Sequence, residues 1–107
     1  MNNLVNYLSY FFGGAFLVNA VPHFVNGIMG RPFQSPFAKP PGKGLSSSTV
    51  NAIWGSFNFV VSYLLIVRVG NFNLHSIKDV VALGLGAFLI AVFSARGFGK
   101  LNGGNNV

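Results

Sequence analysis

Few side chains in this 107-residue sequence are equipped for chemistry: two histidines, one acid, seven basic residues and no cysteine. Without cysteine there are no disulfides, no thiolate nucleophile and no Cys-ligated metal or iron–sulfur site, and the redox compartment stays unread. One acid, Asp79, cannot form a carboxylate pair, and no nucleophile–base signature or metal-ligand spacing stands beside it. The residues therefore predict a non-enzymatic protein. The exception worth following is His23. It recurs with Asn19 and Asn26, and with Gly30 just beyond, at helical spacing along a run, Leu4 to Met29, that has no charged residue. Counted eight residues from Arg31, it would lie roughly 12 Å beneath a membrane surface, where a titratable group is a functional candidate. Three uses suit it: a hydrogen bond to Asn19, Asn26 or a backbone carbonyl, a place on a polar path, or axial ligation of haem. His75 falls in a different connection, on the opposite side, so a bis-His haem within one chain is not expected. Two His23 residues across a dimer are the remaining form, which we set below the expectation of no cofactor.

The elements that would position these residues follow from composition. Charged residues make up 7% of the chain, against roughly 25% in soluble domains. One acid and seven bases cannot cover the surface of so small a soluble fold. Three apolar runs, 4–29, 50–67 and 80–95, predict an all-α integral membrane protein of one domain, 1–107. We expect transmembrane helices over about 3–29, kinked at Pro22, over 47–68 and over 76–96, an ordered loop 30–46, and a frayed tail 101–107. Val18-Asn19-Ala20 would pass as a signal-cleavage site, but residues 1–17 hold no Lys or Arg, so the first run reads as an uncleaved span. Ser76 and Asp79 form a capping-box-like start for the third helix. Arg31, Lys39, Lys43, Arg96 and Lys100 fall on one side of three spans, Arg68 and Lys78 on the other. That imbalance predicts a cytoplasmic loop 30–48, a cytoplasmic C-terminus and an external N-terminus.

Apolar helices in lipid associate through small residues and interhelical hydrogen bonds. The second run carries Asn51, Gly55, Asn58 and Ser62 within about 60° of arc. The third carries Gly84, Ala87, Ala91 and Ser94. The first has the Asn19–His23–Asn26 face and, nearer its start, a different face of Asn2, Asn6, Ser9 and Gly13. We expect Asn19, His23, Asn26, Asn51, Asn58 and Ser62 to form an intramembrane polar face, and Gly55, Gly84, Ala87 and Ala91 to pack helices. The two faces of the first helix suggest the other helices and a second protomer as neighbours.

The loop holds the pairs Pro32-Phe33 and Pro36-Phe37 and then Pro40-Pro41-Gly42. Such apolar, proline-stiffened composition is wrong for a solvated linker. Phe33 and Phe37 are expected to dip into the interface, with Arg31, Lys39 and Lys43 over lipid phosphates. Bases spread between apolar runs fit anionic lipid, not nucleic acid. Gly42-Lys43-Gly44 before Ser46-Ser47-Ser48-Thr49 lacks the strand and the first glycine of a phosphate-binding loop. It leaves helix-capping serines and a generic anion site at Lys43.

The segment VPHFVNGIMGRPFQSPFAKPPGKGLSSSTVNAIWG, residues 21–55, resembles a family of small bacterial inner-membrane proteins of unknown function. The resemblance covers the middle third of the chain. It implies a bacterial multi-span protein and supplies no activity or catalytic residues. Together these features predict an accessory subunit of a larger membrane complex, or a homo-oligomer, that works by association. The alternative is a channel or transporter protomer with Asn19, His23, Asn26, Asn51 and Asn58 along a path.

Overall fold

The computed structural model describes residues 3–106. Its element order is α1 (Asn3–Ile28), β1 (Phe33–Gln34), β2 (Leu45–Ser46), α2 (Ser48–Tyr63), a π-helical segment (Leu64–Val69) continuing α2, and α3 (Ile77–Asn102). Three helical stretches, Asn3–Ile28, Ser48–Val69 and Ile77–Asn102, are long and apolar enough to cross a membrane. α1 runs unbroken through Pro22. It ends because Gly30 takes a left-handed φ of 73°, which lets the Arg31 N–H return to the Asn26 carbonyl at 2.9 Å. Ser47 caps α2 by accepting from the Val50 N–H. Ser76 caps α3 by accepting from the Asp79 N–H. The return arm of the expected capping box goes elsewhere, since the Asp79 carboxylate accepts from the Asn73 N–H at 3.0 Å.

α3 exceeds its expected end at residue 96 by six residues. Its 26 residues span about 39 Å, ample for a hydrocarbon core of about 30 Å. Asn102, expected in a frayed tail, is held by a reciprocal amide pair with Gln34, 3.1 Å each way. Gly103 then ends the helix with φ 80°, and Asn105 donates back to the Arg96 carbonyl.

α1 is the central helix, packed along α2 on one side and α3 on the other, while α2 and α3 hardly meet. Both seams close by backbone approach. A Cβ at Gly27 would overlap the Ala52 backbone, and one at Gly55 the Phe24 backbone. On the other side, a Cβ at Gly14 would overlap the Leu83 carbonyl, and one at Gly86 the Phe11 carbonyl. This corrects the expected packing stripe of α3. Ala87 does lie on the seam, beside Gly14, but Gly84 faces open space and Ala91 is exposed. Gly86 occupies the close-approach position instead.

The second face of α1 is also accounted for within the chain. Ser9 donates to the Leu65 carbonyl, and Ser62 donates to the Gly13 carbonyl at 2.9 Å. Both faces of α1 therefore meet α2 and its π-helical extension, with no second protomer required. Asn2 lies outside the described residues. At this end Tyr10, 2% exposed, accepts from the Asn71 N–H through its hydroxyl at 3.0 Å and packs edge-on against Phe72.

Candidate functional site: the capped end of the bundle

The loop folds into a small object that plugs the opposite end. β1 and β2 pair antiparallel, Phe33 with Ser46 and Gln34 with Leu45. Ser35, fully buried, bonds Ser46 Oγ at 2.5 Å, and its hydroxyl accepts from the Phe37 N–H. Its carbonyl accepts from the Ala38 and Gly42 N–H groups. Gln34 fastens this object to the last turn of α3 through Asn102. The loop is therefore ordered, as expected, but its two phenylalanines part ways. Phe33 turns inward, its ring 5.5 Å from His23 and 4.7 Å from Phe98. Phe37 stays 62% exposed and meets Trp54 edge-on at 5.1 Å.

Beneath the plug lies the His23–Asn51 pair, 3% and 0% exposed. Asn51 Nδ2 donates toward three backbone carbonyls, those of Phe33, Ser46 and Ser47, at 3.0–3.2 Å. Carbonyls only accept, so the amide cannot be flipped. Its Oδ1 must then face His23 Nδ1 at 2.9 Å, and Nδ1 carries the hydrogen. Asn51 thereby ties α2, α1 and the loop into one knot. One layer deeper, Asn58 Nδ2 donates to the Trp54 carbonyl and its Oδ1 accepts from Asn19 Nδ2 at 3.1 Å.

Of the expected polar face, Asn19, His23, Asn51, Asn58 and Ser62 meet across α1 and α2. Asn26 does not join them; it donates back to the Pro22 carbonyl in its own helix at 2.8 Å. Phe33, Phe98, Gln34, Ser35 and Asn102 complete the plug. Of these, Phe33 and Phe98 are expected from the sequence at the lipid interface, and nothing in the sequence marks Gln34 or Ser35. Trp54 Nε1 is the fully enclosed side-chain polar atom that lacks a partner among the described residues.

His23 is ringed by Phe33, Trp54 and Phe98 and points into its own protomer. That geometry does not fit a haem shared across a dimer. The described residues hold no cluster of three or more His, Cys, Asp or Glu that could bind a metal. Arg31, Lys39 and Lys43 are all exposed around the plug. Compared with known proteins, the chain matches no family model, no curated protein and no solved structure.

Proposed function

We propose that this is a non-enzymatic association protein embedded in the bacterial inner membrane: an accessory subunit of a larger membrane complex, or a homo-oligomeric scaffold. Its basic Pro/Phe loop is offered to a partner or to anionic lipid on the cytoplasmic side. The bacterial membrane follows from the family resemblance of residues 21–55, and an external N-terminus with a cytoplasmic C-terminus from five bases against two.

One contrast carries this reading. The polar side chains of α1 and α2 are spent on each other, whereas α3 has Gly86 as its single buried residue among those described. Gly84, Phe88 and Ala91 line up at steps of four and three on its outer face, all exposed. In lipid, Gly84 and Ala91, seven residues apart on this open face, leave room on either side of Phe88 where another helix can approach closely. A polar path is less well supported, because His23, Asn51 and Asn58 are buried and hydrogen-bonded within the bundle.

The absence of cysteine makes cross-linking clean. Ala91→Cys, oxidised in native membranes, should give a disulfide-linked band with a second copy or with a cysteine-bearing partner. Ala87→Cys, on the α1 seam, should not. If neither variant cross-links, or both do equally, the outer face of α3 is not a contact surface.

A further inference from the structure

We propose that the groove between α1 and α3 holds one anionic glycerophospholipid, its headgroup at Lys43 and Lys100 and its acyl chains against α1. Two cavities lie end to end there and share Asn19 and Phe93. The outer one, about 730 Å³, is bordered by Lys43, Gly42, Ser94, Gly97, Phe98 and Lys100. The inner one, about 410 Å³, is lined by Phe11, Phe12, Phe16, Gly86, Leu89 and Ile90. Polarity is thus graded along the groove: ammonium groups at the mouth, hydrogen-bonding groups at the junction, hydrocarbon at depth.

Each layer matches a part of such a lipid. Among the described residues no carboxylate answers Lys43 or Lys100: the one acidic side chain of the sequence, Asp79, sits in the first turn of α3, at the other end of that helix. Ser94 Oγ makes no protein hydrogen bond among the described residues, and Asn19 spends one Nδ2 hydrogen on Asn58. Its other hydrogen and its Oδ1 remain for a ligand. Ser94 lies six residues before Lys100, about 9 Å along the axis, toward the apolar end of the groove. From Lys100 to Gly86 the groove covers about 21 Å. That is one leaflet of a bilayer about 40–45 Å thick including headgroups. A second copy of this chain in parallel orientation would carry its own Asp79 to the opposite surface, so its acidic side chain is not at hand for Lys43 and Lys100. A phospholipid supplies both the charge and the chain.

The proposal shares the membrane setting of the preceding reading but not its claim of association. Native mass spectrometry separates the two, because lipid adducts and protein copy number appear as different mass increments. The protein, solubilised in mild detergent, is titrated with phosphatidylglycerol or phosphatidylcholine of matched chains. Wild type should retain one phosphatidylglycerol per protomer with at least 10-fold preference over phosphatidylcholine. Lys43→Gln with Lys100→Gln should abolish the preference. Arg31→Gln with Lys39→Gln removes the same charge from the exposed loop away from the groove and should leave the preference intact. Ile90→Trp, or Ala15→Phe from the α1 side, should reduce retention of both lipids by filling the inner cavity. Equal retention of the two lipids by wild type, or equal loss in both charge variants, would overturn the proposal. So would a protein copy cross-linked through Phe93→Cys in place of the lipid.

Discussion

Along α1 and α2, Asn19 meets Asn58, His23 meets Asn51, and Ser62 reaches the Gly13 carbonyl. Along α1 and α3, no side-chain hydrogen bond crosses among the described residues; Gly14 and Gly86 simply bring backbone against backbone. Helices with no hydrophobic drive between them can associate by either route. The polar seam has one register, because a one-residue slip would strand buried amides. The dry seam has shape complementarity and, at its end, the Gln34–Asn102 clasp. It is also the seam that leaves a groove, and its helix has the barest outer face. On the function proposed above, α1–α2 is architecture and α3 is the helix that meets lipid or protein.

Substitutions sharpen this difference, with effects on thermal or SDS-induced unfolding of the solubilised protein. The largest loss is expected for Gly86→Leu, about 3 kcal/mol or more, because the obstacle is the Phe11 carbonyl and not a side chain that can turn away. Gly84→Leu, two residues along, should change protomer stability by less than about 0.5 kcal/mol. Equal effects at the two glycines would break the account of the dry seam. Asn51→Leu comes next, at about 1–3 kcal/mol, since it removes the partner of His23 Nδ1 and leaves the Phe33 carbonyl without its side-chain donor. Asn58→Leu should cost less than Asn51→Leu, about 0.6 kcal/mol, the average for a single interhelical hydrogen bond in a membrane protein. A larger loss at Asn58 than at Asn51 would move the centre of the polar seam away from the plug.

How much was legible in the sequence differs by region for the same reason. In α2, Asn51, Gly55, Asn58 and Ser62 recur at steps of four, three and four, so they could be read as buried from periodicity alone, and all four are. In α3, small residues occur on several faces. Gly84 and Gly86 are equivalent in type, and only the position of the Phe11 carbonyl on α1 selects Gly86. Gly14 and Gly27 escape a sequence reading because each lies one position off the polar stripes that mark the faces of α1, next to Gly13 and Asn26. The loop's order followed from its prolines and phenylalanines. Its inside and outside did not: Phe33 and Phe37 look like twins in sequence, and it is the pairing of Phe33 with Ser46 that turns one of them over His23. The length of α3 was hidden too, because its last turn depends on an amide 68 positions away in sequence.

The native mass of the particle released by mild detergent tests the central claim of association most directly. The account predicts a multiple of the 11.4 kDa protomer, or a larger particle containing other chains, reduced to the single protomer by Gly84→Leu with Ala91→Leu. A wild-type particle of one protomer and lipid alone would contradict it.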